Sequence, residues 1–320
     1  MPLGTNNITQ ANANTAGFVP EVWSDEIVAA YKKNLVAANL FKKMNMKGRK
    51  GDVVHFPVAG RGSASSKTAS SQVTLIGESS TEKTVTIDKH FEYSRLIEDF
   101  AEVQALSSLR RFYTDDAGYS LARQVDTTLV QLGRAANGAT VGTNDYATSN
   151  TSTKGFIGSD GSTVYNSTSS NAAALTDQGI RRAIQRLDDA DVPMDGRFLI
   201  VPPSTRNTLM GIARFTEQSF TGDAAGGNTI RNGMIGDIYG VKVYVTTNAD
   251  TAYGNTQTDR VCLLAHPDFA VLVEQLGVRV QTQYKQEYLG TLLTADTLYG
   301  AGALRTGASD SAAVALIVPA

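Results

Sequence analysis

The chain has 320 residues, 42% of them hydrophobic and 19% charged, and its 29 basic and 31 acidic residues give a net charge of −2. This is the composition of an ordinary globular protein with room for one or two domains, and the balanced charge disfavours a sequence-specific nucleic-acid binder. No apolar run reaches the ~20 residues of a membrane helix, and no secretory signal opens the chain, so we expect folding in a cytoplasm.

The first 47 residues predict an arm followed by a helix. Residues 1–23 are mostly small and polar and carry almost no charge up to the proline at position 20, as expected for an extended arm that a neighbour would hold. A hydroxyl cap at Ser24 and two first-turn acids then open a helical pattern over 24–47. In this interpretation Lys42, Lys43 and Lys47 lie at the C-terminal end of the helix dipole.

Residues 48–93 predict a long two-stranded ribbon. The outgoing arm alternates Val54, Phe56 and Val58 onto one face, and the return arm, 84–93, alternates in the same way. The residues between the arms are small and polar. Because a lone hairpin is marginal in water and its open edges invite pairing with another chain, we interpret the ribbon as an assembly element without a core of its own.

The strongest helical pattern follows the ribbon. Apolar residues recur at three- and four-residue steps over 98–135 and predict an amphipathic helix roughly 50 Å long. Residues 137–171 are dominated by Gly, Ser, Thr and Asn and predict an exposed insertion with a short hairpin around Phe156 and Val164. A second helix, capped by Thr176, is predicted after the insertion.

From residue 196 the sequence alternates strands and short helices. The predicted strands cover 197–201, 235–247, 261–264, 277–288 and 312–318. This order is not a repeating βαβ unit, so we predict the α+β class with a mixed or antiparallel sheet. The glycines of 300–307 superficially resemble a dinucleotide-binding fingerprint, but their spacing is wrong, and we interpret this stretch as a turn between terminal strands.

We predict no catalytic, cofactor-binding or metal-binding residue. His55, His90 and His266 are separated in sequence and match no metal-ligand spacing, although the first two could pair across the ribbon. Cys262, the single cysteine, lies in an apolar strand and is expected to be a buried, inert thiol. One alternative stays open, a hydrolase with an unrecognised site that substitution of His266 and Asp268 would test.

Five segments of the chain resemble major capsid proteins of tailed bacteriophages, above all those of short-tailed phages, including cyanophages. The segments are 18–26, 47–57, 93–99, 198–203 and 236–248. Each is weakly specific alone, and the resemblance rests on their order and spacing across nearly the whole chain.

The resemblance implies an α+β fold of the Hong Kong 97 type, with an arm, an extended loop, a peripheral domain and an axial domain. The implied parts are an N-terminal arm (1–23), a helix leading into the extended loop (24–47), the extended loop (48–93), a peripheral domain (94–195) with a spine helix (98–135) and an exposed insertion (137–171), an axial domain (196–275), and a return through the peripheral domain to a terminal strand (276–320).

The function implied by the resemblance is structural and non-enzymatic. Copies of the chain would form the hexamers and pentamers of an icosahedral head around double-stranded DNA, assembled in the host cytoplasm and retained in the virion. The implied partners are further copies of the chain, a separate scaffolding protein, a portal protein, a cement protein and weakly held DNA, with no membrane and no cofactor. The first alternative is a bacterial nanocompartment shell protein of the same fold, whose particles would contain a cargo enzyme instead of DNA, and the hydrolase is the second.

Contacts between subunits are expected from the arm, the extended loop and the axial domain. The candidate contact residues are Phe18, Trp23, Phe56, Arg61, Lys67 and Asp223. In one branch of the family a loop lysine bonds covalently to a neighbour's asparagine. Lys67 is the only lysine at the tip of this loop, but no motif supports that role, so we expect non-covalent contacts.

Overall fold

The structure is a computed structural model that describes residues 35–59, 64–73, 75, 77, 80–100, 109–138, 155–166, 171–216, 236–253, 258–307 and 311–320. The helices within these ranges are α1 (Ala37–Leu40), α2 (Leu109–Gln131), α3 (Asp177–Asp189), α4 (Pro203–Met210) and α5 (Ala213–Thr216), with 3-10 turns at Leu132–Gly138, Pro267–Phe269 and Gln286–Tyr288. The strands are β1 (Lys42–Asn45), β2 (Val53–Ala59), β3 (Ser80–Thr86), β4 (Lys89–Glu98), β5 (Phe156–Ile157), β6 (Phe198–Val201), β7 (Asp237–Ile238), β8 (Val241–Val245), β9 (Thr251–Tyr253), β10 (Thr258–Ala265), β11 (Ala270–Lys285), β12 (Gly290–Ala303) and β13 (Ala313–Val318).

The described strands form a larger sheet, a smaller sheet and a separate ribbon. The larger sheet has the order β5-β13-β10-β6-β8-β7, with β9 paired to β10, and the smaller sheet has the order β1-β11-β12-β4. Strands β2 and β3 form the ribbon by pairing with each other. The larger sheet mixes parallel and antiparallel pairs, so the predicted α+β class with a mixed sheet is confirmed.

The core of the larger sheet is built around its last strand in sequence. All six residues of β13 are buried between β5 and β10. A strand covered on both faces must be apolar throughout, and Ala313–Val318 contains only Ala, Val, Leu and Ile. Helix α3 adds Ile180 and Leu187 to this core, and its predicted N-cap Thr176 accepts a hydrogen bond from Gly179 N. The terminal strand predicted over 312–318 is confirmed as β13.

Helix α2 packs on both sheets and links them. Ala117 and Leu121 lie against Ala295 of the smaller sheet, while Leu129 belongs to the core of the larger one. The predicted long helix is confirmed over the described residues 109–131. Its first predicted residue, Glu98, ends β4 instead, and its last turn is a 3-10 turn.

The helix predicted over 24–47 is wrong in its C-terminal part. Lys42 and Lys43 lie in β1, which pairs in parallel with β11, and the chain leaves the helical conformation at Phe41. The Phe41 ring is buried against Phe198 and Phe269, with ring centroids 5.3 and 6.3 Å apart. Pairing with β11 and burial of this ring override the local helical pattern. Residues 24–34 lie outside the described residues.

Two other boundaries differ from the sequence prediction. The return arm of the ribbon ends with β3, and the alternating residues 89–98 form β4 of the smaller sheet. The predicted hairpin is confirmed by a bridge between Phe156 and Val164, but this part of the insertion is exposed only on one side, where Val164 lies. Phe156 and Tyr165 are buried because β5 adds a parallel strand to β13.

We predict that Gly179→Ala destabilises the subunit, because a Cβ there would lie 2.0 Å from the carbonyl oxygen of Gly158. Such overpacking typically costs about 1–3 kcal/mol in the free energy of unfolding. Gly118→Ala is the matched control within α2, where an added Cβ meets no atom within 4 Å. That substitution should stabilise by up to about 1 kcal/mol through helix propensity. Urea unfolding of both variants measures the difference, and an equal effect would contradict the packing argument.

Candidate assembly surfaces

The base of the ribbon is anchored in its own subunit. Val85 is 2% exposed and packs with Ile87 and Val271, and Val54 and Phe56 lie against the same cluster. We call Val54, Phe56, Val85 and Ile87 the ribbon root. The expectation of a ribbon without a core of its own is therefore wrong for the root, because this face is covered by the smaller sheet.

Two glycines of β12 allow the ribbon root to approach so closely. A Cβ at Gly300 would lie 2.4 Å from the carbonyl oxygen of Thr86, and one at Gly302 would lie 2.6 Å from Cγ2 of Val85. The sequence interpretation of this stretch as a turn is wrong for these residues, which pair with β11 as strand. Their lack of side chains gives β3 a flat surface to cross.

The distal ribbon, residues 64–73, is exposed throughout. A turn in which Ser71 N donates to the carbonyl oxygen of Thr68 at 3.3 Å gives it local order. Beyond this segment Leu75 is 90% exposed, and Val58 on the outgoing strand is also exposed. The exposed part of the ribbon thus combines polar residues with a few exposed aliphatic side chains. Such a surface is suited to contact with another molecule.

The structure describes two of the six contact candidates from the sequence. Phe56 lies in the ribbon root, where it is half-buried within its own subunit, and Lys67 lies exposed in the distal ribbon. The other four candidates lie outside the described residues. They are Phe18, Trp23, Arg61 and Asp223.

A second apolar surface, which sequence reasoning missed, lies at the far end of the smaller sheet. Asp99 N donates to the carbonyl oxygen of Leu289 at 3.0 Å and so joins the end of β4 to the connection between β11 and β12. Phe100, Tyr288 and Leu289 are all exposed there, Phe100 by 70%. Tyr284 donates to Asp99 at 2.7 Å, and this hydrogen bond to a carboxylate raises the pKa of the Tyr284 hydroxyl.

A buried polar network joins α2 to the larger sheet. The fully buried Asp126 accepts from Ala37 N at 2.7 Å and from Asn248 Nδ2 at 2.9 Å. Nearby, Arg134 donates from two nitrogens to both carboxylate oxygens of Asp250, at 2.8 and 2.7 Å. Bidentate geometry satisfies charges that are costly to bury. The network fixes α2 against the loop that follows β8. No sequence motif predicts this network.

The residues proposed for a hydrolase are engaged in structural contacts. His266 Nδ1 accepts from Asp268 N at 3.2 Å, and Nε2 lies 3.1 Å from the carbonyl oxygen of Asp195. Asp268 forms an ion pair with Lys42 at 2.5 Å, and this contact lowers the pKa of the carboxyl group. His266 Nδ1 lies 3.7 Å from Asp268 Oδ2, and the two residues cap a 3-10 turn and tie it to β1, so these contacts are structural.

The other residues that could take part in catalysis or bind a metal also lie apart from one another. His55 lies 3.1 Å from Glu82 on the ribbon, and His90 lies 3.4 Å from Asp296 on the smaller sheet, so the two histidines do not pair with each other. Cys262 is buried, as predicted, and desolvation raises the pKa of its thiol to about 12. In the part of the chain that the structure describes, no His, Cys, Asp or Glu side chains group to hold a metal ion.

None of the helices among the described residues is long and apolar enough to cross a membrane.

A family model described as phage capsid protein matches residues 36–308. A solved structure of Mycobacterium phage Che8 is 24% identical, with a TM-score of 0.71, covering 93% of this chain and 97% of that one. The capsid structure of cyanophage P-SCSP1u is 18% identical (TM-score 0.72; coverage 99% and 96%). The capsid asymmetric unit of cyanophage Pam1 is 11% identical (TM-score 0.72; coverage 99% and 99%). No curated protein matches significantly.

We predict that Gly300→Ala displaces the ribbon root, because the added Cβ would collide with the backbone of Thr86. The free energy of unfolding should fall by about 1–3 kcal/mol, as for other overpacked sites. Gly236→Ala, where a Cβ meets nothing within 4 Å, is the control and should unfold like the wild type. Equal stability of the two variants in urea unfolding would show that the ribbon crosses β12 less closely than described.

We also predict that Asp250→Ala is strongly destabilising. It leaves the buried Arg134 guanidinium without its counter-charge, and removal of one partner from a buried pair typically costs about 3–5 kcal/mol. Arg181→Ala breaks the exposed pair with Asp177 and should cost at most about 1 kcal/mol. Denaturant unfolding compares the two, and similar small losses would mean that the junction does not depend on the ion pair.

Proposed function

Because this chain belongs to the phage capsid protein family, we propose that it forms the hexamers and pentamers of an icosahedral head around double-stranded DNA. It is a major capsid protein with the Hong Kong 97-type fold, a structural component of the virion that assembles with copies of itself into a capsid lattice. The named matches are all phage proteins, and they favour this function over a nanocompartment shell or a hydrolase.

The observation that carries the proposed assembly role is the contrast between the two ends of the ribbon. The root buries Val85 and Ile87 in its own subunit, whereas residues 64–73 are exposed along their whole length. An isolated two-stranded ribbon gains little stability from its own pairing. The distal part of the ribbon therefore adds stability only when it packs against another subunit. The fixed root sets the direction in which the ribbon extends from its own subunit.

The finer points of assembly are proposals from the resemblance. The extended loop and the arm hold neighbouring subunits through non-covalent contacts, with Phe18, Trp23, Arg61, Lys67 and Asp223 as contact residues. The half-buried Phe56 shapes the loop at its root instead. A separate scaffolding protein, a portal protein and a cement protein act with the shell, which assembles in the host cytoplasm.

Lys67 suits a salt-sensitive contact and not a covalent one. It is exposed, and the ionic contacts of an exposed lysine weaken as salt screens them. The apolar end of the smaller sheet around Phe100 and Leu289 is a further contact surface, since exposed apolar clusters of this kind mark interaction sites.

We predict that deletion of residues 60–70 leaves a folded subunit that does not form stable shells. The described part of this segment makes hydrogen bonds within its own turn and packs against no core, so the melting temperature of the subunit should stay close to that of the wild type. Negative-stain microscopy and sedimentation of protein expressed with its scaffolding protein measure assembly. Normal particles from the deletion variant would refute the assembly role of the ribbon.

The matched control replaces residues 64–70 with glycine and serine, which keeps the length of the ribbon and removes its side chains. Partial recovery of particles would assign part of the contact to the backbone of the ribbon, as expected if strands from two subunits pair. Recovery equal to the wild type would mean that side chains such as Lys67 are not required.

A further inference from the structure

Three cations lie in one short turn at the base of the ribbon. Lys47, Arg49 and Lys50 are all exposed, and they lie between the end of β1 and the start of β2. We call these three residues the basic turn. No ion pair joins any of them to a described residue, and the three cations outnumber the two neighbouring acids, Asp52 and Glu274. A chain with a balanced overall charge thus carries a local positive surface.

The backbone of the basic turn is held in place by neighbouring groups. Lys47 N donates to Asn45 Oδ1 at 2.8 Å. Gln275 of β11 donates from Nε2 to the carbonyl oxygens of Arg49 and Gly51, at 3.2 and 3.0 Å. Gly51 has φ of +141°, a conformation that other residues rarely adopt. The three cations are therefore presented from a fixed backbone, and less ordering entropy is lost when a ligand binds.

Protection of a sheet edge does not explain the basic turn. Strand β1 is the edge of the smaller sheet, and lysines on edge strands discourage unwanted pairing. That role accounts for Lys42 and Lys43, which lie on β1 and bond to Asp268 and Asn39. The basic turn begins after the strand has ended, so its cations protect no edge.

The composition of the turn indicates a polyanion and not a protein surface as its ligand. Protein interfaces are depleted in lysine and depend on aromatic and apolar anchors, and residues 47–51 consist of two lysines, one arginine and two glycines. Contacts to phosphates, in contrast, come mainly from lysine and arginine and need no apolar core. Three phosphate contacts per subunit are weak alone, and the lattice multiplies them.

We propose that the basic turn binds the phosphate backbone of the double-stranded DNA inside the shell, without regard to base sequence. This proposal rests on the proposed function, in which the shell encloses such DNA. Each bound phosphate releases condensed counterions from the duplex, so binding weakens as salt rises. Many copies of a weak, salt-sensitive contact hold the outer layer of DNA while allowing it to move.

The test compares unassembled wild-type subunits with the triple variant Lys47→Ala, Arg49→Ala, Lys50→Ala. Fluorescence anisotropy with short labelled duplexes of two unrelated sequences gives the affinity between about 50 and 200 mM salt. We expect the variant to bind at least about tenfold more weakly at the lowest salt, equally for both sequences. The slope of log K against log salt should fall by about 2–3, close to 0.9 for each lost contact.

Two further variants make the result specific to the basic turn. A control triple variant removes the same residue types from exposed positions elsewhere, by Lys83→Ala, Arg123→Ala and Lys242→Ala. It should bind DNA like the wild type. Lys47→Arg, Arg49→Lys, Lys50→Arg keeps the charges and should also keep the binding. The proposal is overturned if the first variant binds DNA like the wild type, or if the control triple loses as much affinity.

Particle assembly separates this proposal from the proposed function. Wild-type shells together with unchanged DNA binding by the basic-turn variant would refute the basic turn and leave the capsid function intact. Loss of shells with unchanged DNA binding would instead assign the turn to a contact with a second copy of the chain. Absence of shells from the wild type with its scaffolding protein would refute the proposed function itself.

Discussion

In the proposed assembly, the contact that sets the position of the ribbon is its close crossing over β12. Gly300 and Gly302 remove the side chains that would keep β3 away, and Val85 fills the space that they leave. The crossing fixes both the place where the ribbon leaves the subunit and the face that it presents. Because side chains alternate along a strand, a shift of one residue would expose Val85 and bury polar neighbours. The distal ribbon inherits its direction from this one packed site.

The ribbon keeps a fixed direction only if its root belongs to a rigid part of the subunit, and α2 supplies that rigidity. The helix packs on Ala295 of the smaller sheet at one end and enters the core of the larger sheet at the other. Asp126 and the pair of Arg134 with Asp250 then lock the second end. Apolar packing alone permits small sliding movements, whereas bidentate hydrogen bonds have one preferred geometry. The junction therefore fixes the angle between the two sheets.

The sequence predicted those elements whose pattern is local. Helix α3 and strand β13 follow from a cap and from an unbroken apolar run, and the ribbon follows from alternation. The errors arise where distant contacts decide. Lys42 fits a helix by spacing and becomes strand because β11 offers an edge to pair with. Alternation continues through residues 84–93 and cannot reveal that the chain changes sheets at residue 89. The junction formed by Asp126 and Arg134 depends on residues more than a hundred positions away.

The basic turn shows why net charge is a poor guide to the partners of a shell protein. A charge of −2 over 320 residues excludes a uniformly basic surface, but screening confines electrostatic attraction to about 8–10 Å at moderate salt. A duplex near the turn therefore responds to the excess of Lys47, Arg49 and Lys50 over the adjacent acids, and hardly at all to acids on the far side of the subunit. In the proposed role, a nearly neutral chain with a local cluster of cations would bind DNA weakly at defined points, which suits a shell that must also release its contents.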